Sequence, residues 1–225
     1  MELSGLTWTE VATRAPGSLL AVPVGSTEQH GPHLPLSTDT RIAVELCRRL
    51  ASARPDVLVA PALPYGSSGE HASFAGTLSV GAAAVETLLV ELGRSADHFS
   101  GVVFVSGHGG NAGPVSRAAA RLRSESRRAR AWLLPPPGAG SDAHAGHTET
   151  SVLLALDPPA VRRSAAAAGC TTPLRELMPV LATAGVAAVS PNGVLGDPGG
   201  ASPDAGRRVL DLWARALLSD LDGWP

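Results

Sequence analysis

At 225 residues, 44% of them hydrophobic and 17% charged, the chain can bury a full core and is not a disordered polymer. Its formal net charge of −2 gives no electrostatic ground for a nucleic acid or an anionic membrane as partner. All 18 basic residues are Arg, and the two cysteines, Cys47 and Cys170, stand in no paired metal or redox spacing.

The first 15 residues carry acidic groups and no long apolar core, so they do not read as a secretion signal. Residues 18–24 form a short apolar run closed by Gly25 and predict a central strand. Residues 40–53 have helical spacing at Ile42, Val44, Leu46 and Leu50, with Thr38 or Asp39 placed to cap them. Cys47 falls inside this helix and is expected to be a buried, inert thiol. A second strand is predicted at 56–60, then a helix over 81–99 with Leu88, Leu89 and Leu92 on its apolar face. The almost wholly apolar run 101–106 predicts a strand covered on both faces. Pro114 sits where a first helical turn tolerates it, and that helix is expected to run to about Arg128. Its Arg-rich end, 121–130, contains Glu125 and no aromatic residue, and reads as a solvated face. A fourth strand follows at 129–134, then a stiff turn at 135–138. Helices are expected at 148–156 and 172–184, the second interrupted or kinked by Pro179. Residues 186–200 read as a Gly/Pro-rich loop and 205–221 as a closing helix. Strands alternating with helices predict an α/β domain with a mostly parallel sheet, one domain across 1–225. No run reaches the roughly 18 apolar residues of a membrane span, so a cytoplasmic, soluble protein is expected.

Three segments carry the chemistry. Glu28-Gln29-His30-Gly31-Pro32-His33-Leu34-Pro35, followed by Asp39, packs carboxylates and imidazoles after the first strand. Gly107-His108-Gly109-Gly110-Asn111 follows the third strand, and His144-Ala145-Gly146-His147-Thr148-Glu149-Thr150 follows the fourth. Open α/β sheets place their sites there, outside the carboxyl ends of the strands. Oxygen and imidazole donors together suit a divalent metal such as zinc or iron. In an extended segment Glu28 and His30 point the same way, roughly 7 Å apart, so they can reach two adjacent ions. Asp39 can bridge a pair about 3.5–4 Å apart, the usual spacing of two-metal hydrolases.

Each residue alone has a plainer reading. A loop carboxylate is usually solvated, Asp39 could be only a helix cap, and His33 and His71 could be surface or supporting groups. Co-occurrence favours the metal site: His30, His108, His144 and His147, four of the seven His, fall in these segments.

The stretch from Gly25 to Asp39 resembles the first signature of the creatininase family; 107–111 resembles its second, and His144-Ala145-Gly146 with Glu149-Thr150 its third. The resemblance implies a three-layer α/β/α sandwich with a dinuclear centre that hydrolyses amide bonds outside ordinary protein chains. It implies Glu28 and His108 on one ion, His30 on the other and Asp39 between them, with Fe2+ and/or Zn2+ as the metals. The creatinine-cleaving enzyme has a glutamate where this chain has Gly110, which argues against creatinine; Glu149 is the substitute ligand and a candidate catalytic residue. His144 is the candidate acid for the leaving amine, and Tyr65, Glu70, Gly109, Gly110 and Asn111 are candidate substrate contacts. A narrower likeness, carried by 65–71, 142–151 and 185–198, is to family members that release a modified dipeptide from the end of a small ribosomal precursor peptide. A closed homo-oligomer is expected by resemblance. The alternatives are an amidohydrolase acting on a small cyclic amide or formamide, and a non-enzymatic phosphate-binding module. The second is disfavoured because 107–111 lacks the Lys-Ser/Thr ending of a phosphate loop.

Overall fold

The computed structural model describes residues 1–136, 138 and 142–224. Its sheet contains β1 (Leu19–Val24), β2 (Val57–Val59), β3 (Gly101–Ser106) and β4 (Ala129–Leu133), ordered β2-β1-β3-β4 with every neighbouring pair parallel. Alternate residues of each strand face opposite sides. Leu19, Ala21, Val57, Val59, Val103 and Val105 pack with α2 (Thr38–Ala53), α5 (His147–Leu156) and α7 (Pro203–Asp220). Leu20, Val22, Val24, Leu58, Val102 and Phe104 pack with α3 (Ala82–Ser95) and α4 (Ala112–Ser124) on the other side. The result is a three-layer α/β/α sandwich. β1 and β3 lie side by side while their crossovers leave in opposite directions, so the topological switch point falls between them.

Several sequence expectations shift. A helix the periodicity misses, α1 (Trp8–Arg14), opens with a capping box: Thr7 N–H donates to Glu10 Oε2 at 2.7 Å. In α2 the buried stripe is Ile42, Ala43, Leu46, Cys47 and Leu50, with Val44 turned partly outward. Burial raises the Cys47 thiol, which keeps it an unreactive neutral group. α3 stops at Ser95, and Leu88 is exposed where Val85 and Leu89 are buried. α4 ends at Ser124; Arg127 beyond it pairs with Glu125 and Asp97, and Arg121 within its last turn pairs with Glu125. α6 (Leu174–Ala184) runs through Pro179, which lies on its exposed face where the carbonyl left unpaired can meet water. The expected turn at 135–138 includes Pro137, which lies outside the described residues. Leu177, Leu181, Val186 and Leu195 form a small apolar cluster of their own in the later, irregular part. Among the described residues no helix is long and apolar enough to cross a membrane.

Gly25 and Gly107 follow the paired strand ends Val24 and Ser106. A Cβ at Gly25 would overlap Thr40, and one at Gly107 would overlap the Asp39 carbonyl oxygen. Bare glycines there let the first turn of α2 sit directly on the ends of β1 and β3.

Candidate metal centre

That close approach puts Asp39 over the switch point. Asp39 is not the cap of α2; Ser37 holds that position, and Asp39 lies in the first turn, where the helix dipole favours a carboxylate. Its Oδ1 is 3.1 Å from His30 Nε2. Its Oδ2 accepts from Ser26 Oγ at 2.6 Å and lies 3.3 Å from His108 Nδ1. Asp39 therefore stands between two imidazoles that come from different loops.

Glu28 is fully buried. Its Oε2 lies 3.2 Å from His108 Nε2, and its Oε1 lies 3.4 Å from His71 Nε2 and 3.8 Å from His144 Nδ1. Neither oxygen accepts an aligned hydrogen bond. An unpaired buried carboxylate costs several kcal/mol in roughly any protein interior. His30 Nε2 is 3.9 Å from Glu149 Oε2, while its Nδ1 faces the Glu28 carbonyl at 3.1 Å. Three sets of donor atoms lie within 4.8 Å of one another: Glu28, Asp39 and His108; His30, His144 and Glu149; and Glu28, His71 and His144. Orphaned carboxylate oxygens ringed by imidazoles and further carboxylates fit divalent cations.

The electrostatics agree. Burial pulls the His30 imidazole down, but Asp39 beside it, with Glu149 and Glu28, outweighs burial and holds it at about 10. Burial likewise acts against a charged His108, and Glu28 and Asp39 override it and raise it well above its ordinary value. Against its own burial, Asp39 is driven well below the usual carboxylate range by His30 and His108. Burial pushes Glu149 up to about 7. His144 falls well below its ordinary value through burial, reinforced by His30 and His71.

The fold brings Glu28, His30, Asp39, His108, His144 and Glu149 together. The third segment enters through Ala145, whose φ of 52° is left-handed for a residue with a side chain. That conformation costs about 1–2 kcal/mol and aims the Ala145 N–H at Glu149 Oε2, 2.6 Å away. Glu70 reaches the edge of the cluster, 3.8 Å from His108 Nε2, in space that a side chain at Gly110 would occupy. Tyr65 is 48% exposed. Asn111, expected to touch substrate, is instead buried and committed to backbone: it accepts from Ser67 N–H and donates to the Gly25 carbonyl, both at 2.9 Å. It ties two loops together. His147 is exposed and takes no part. His33 is buried behind the cluster, 2.8 Å from Thr150 Oγ1. The residue sequence reasoning undervalued is His71, which is buried at the heart of the site. Its signals were its place directly after Gly69-Glu70, in a loop without periodicity, and its position at the end of the 65–71 stretch that carries the narrower likeness.

Residues 4–221 match a family model described as creatinine amidohydrolase. A mycofactocin precursor peptide peptidase of Mycolicibacterium smegmatis is 53% identical over 212 residues, which are 92% of this chain and 85% of that protein. One of Mycobacterium tuberculosis is 49% identical over 219 residues, 93% of this chain and 86% of that protein. A solved structure described as creatininase Mn superimposes with a TM-score of 0.83 at 25% identity, covering 100% of this chain and 98% of that one.

Proposed function

This chain belongs to the creatininase family, and on that premise we propose that it is the metal-dependent peptidase of mycofactocin biosynthesis. It hydrolyses the amide before the modified C-terminal Val-Tyr of the precursor peptide and releases the cross-linked dipeptide. The observation that carries the hydrolytic reading is Glu28, a buried carboxylate whose two oxygens have no hydrogen-bond partner among imidazoles and further carboxylates. The substrate is carried by the identity to peptidases of that name.

Glu28 and His108 would hold one divalent ion and His30 and Glu149 a second, with Asp39 placed between the two sets; Fe2+ and/or Zn2+ would suit this mixture of donors. When bound, such a pair would supply a water acidified from a pKa of 15.7 to about 7 and would polarise the scissile carbonyl. Backbone amides at Gly109 and Gly110, where the chain turns into α4, face the developing oxyanion. His144 Nε2 lies 2.8 Å from the Gln29 carbonyl, which can only accept, so that nitrogen carries the proton. The Nδ1 lone pair then faces the cluster. His144 thus starts as a base: its Nδ1 takes the proton released by the attacking water and hands it to the leaving amine as the C–N bond breaks, becoming the expected acid only in the second step. Glu70 and Tyr65, at the open rim, contact the peptide.

Incubating the protein with the cross-linked precursor peptide should release the modified dipeptide, read by mass spectrometry, and a chelator should abolish release. Cleavage of small cyclic amides or formamides with the peptide left intact would transfer the assignment to the small-amide reading.

Loading the centre should also release protons. The metal-free chain holds His30 at about 10 and His108 raised, so both carry protons near neutrality that a metal ligand must lose. Apparent Zn2+ affinity should therefore rise with pH through the neutral range and level off towards pH 10. Calorimetry in buffers of different ionisation enthalpy counts the protons; zero release would contradict the ligand set.

A further inference from the structure

The Gln29 side chain is held by two backbone groups whose hydrogen-bonding character is fixed. Its Oε1 accepts from Gly31 N–H at 2.8 Å, and its Nε2 donates to the Gly193 carbonyl at 3.0 Å. The two ends of the amide cannot be exchanged without setting donor against donor and acceptor against acceptor. Gly193 has a φ of 79°, and a Cβ there would overlap Gln29 Oε1, so this seat exists only beside a glycine.

The same amide nitrogen lies 2.8 Å from His71 Nδ1 and 3.1 Å from His144 Nε2; its second N–H goes to the nearer His71 ring, because the His144 Nε2–H is committed to the Gln29 backbone carbonyl at 2.8 Å. An amide nitrogen donates and does not accept, so His71 Nδ1 must be bare and its proton must sit on Nε2. That Nε2 is the atom 3.4 Å from Glu28 Oε1. Across a tilted ring pair, 4.4 Å between centroids, His144 has the opposite arrangement. Its Nε2–H is spent on the Gln29 backbone carbonyl, and its bare Nδ1 lies 3.8 Å from the same Glu28 oxygen. One residue thereby sets the proton on both rings, through its side chain for His71 and through its main chain for His144.

We propose that Gln29 is a tautomer lock: it makes His71 a positioning residue that presents an N–H to Glu28 Oε1, and leaves His144 presenting a lone pair. At 3.4 Å the His71 N–H stands beside Oε1 without an aligned hydrogen bond in the metal-free chain, and closing that gap on loading leaves Glu28 to meet a cation through Oε2, the oxygen beside His108. His71 does not give up its proton, because neutral imidazole is far too weak an acid; it acts through Glu28. Partners of this kind commonly change metal affinity or activity about 10–100-fold when removed. The expected effect on turnover rests on the peptidase reading above, whereas the proton assignment does not.

The test uses the full chain loaded with Zn2+ and labelled with 15N-histidine. Two-bond proton–nitrogen correlation spectra, assigned with His71→Gln, should show His71 protonated on Nε2 and bare on Nδ1. In Gln29→Glu, which offers an acceptor in place of the donor, the His71 proton should move to Nδ1. His71→Ala should lower Zn2+ affinity, measured by chelator competition, about 10–100-fold. It should lower kcat similarly and leave KM within about twofold, and His71→Gln, which retains an N–H, should recover most of both losses. Wild-type His71 protonated on Nδ1, or His71→Ala binding Zn2+ as tightly as wild type, overturns the proposal. Correct protons and affinities in a chain that leaves the peptide uncut would uphold the lock while removing the peptidase reading.

Discussion

Asp39→Ala is expected to remove cation binding and amide hydrolysis together, with turnover falling at least about 10³-fold, roughly 4 kcal/mol of barrier. The size follows from what Asp39 touches: His30 through one oxygen, His108 and Ser26 through the other. No neighbouring carboxylate can take over both contacts. Glu28 shares no donor set with His30, and Glu149 belongs with His30 and His144. Asp39→Asn keeps the shape and one acceptor oxygen but loses the charge, so it should bind metal weakly and remain far below wild type. Elemental analysis beside the peptide assay checks both; stoichiometric metal with full activity in Asp39→Ala would falsify its place between the two ions.

The second large effect is expected far from any reacting atom. Gly107→Ala drives a methyl group into the Asp39 carbonyl, which belongs to helical backbone and cannot rotate aside. The first turn of α2 must lift from the sheet, at a cost of about 1–3 kcal/mol as in other overpacked sites. For a domain of this size that lowers the melting temperature by roughly 2–12 °C. Zn2+ affinity should fall with it, because the displaced turn carries Asp39. Gly5→Ala is the control: no heavy atom lies within 4 Å of a Cβ there. Its melting temperature should match wild type, and so should that of Gly107→Ala if the close approach is unimportant.

The layered fold was legible because its strands are bounded apolar runs; 101–106 coincides with β3. The candidate ligand clusters were legible for a related reason. The first two follow β1 and β3 within a few residues, and the third comes after β4 at the start of α5, so sequence order brings Glu28, His108 and Glu149 to one edge of the sheet. What escaped was non-local or lacked periodicity. His71 is in the site because the loop after β2 folds back over β1, and no local pattern encodes that. Asn111 looked like a substrate contact beside His108, but the Ser67 N–H takes one end of its side chain and the Gly25 carbonyl the other. α1 carried a readable Thr7-to-Glu10 cap, yet Trp8 is 81% exposed, so the hydrophobic stripe that usually marks a helix is missing. The failure at Val44 has a simple cause: small Ala43 and Cys47 face the sheet where the helix approaches closely.

The cluster of Leu177, Leu181, Val186 and Leu195 has a consequence for how such a protein can diversify. The donor atoms ride on turns pinned to the central sheet, whereas much of the neighbouring wall belongs to a segment with its own miniature core. It meets the donors chiefly at the Gly193 carbonyl and through the backbone pairing of Leu195 with His144. Mutations on that wall can reshape which molecule is admitted while the reactive atoms keep their places, so one chemistry can serve a succession of unrelated clients.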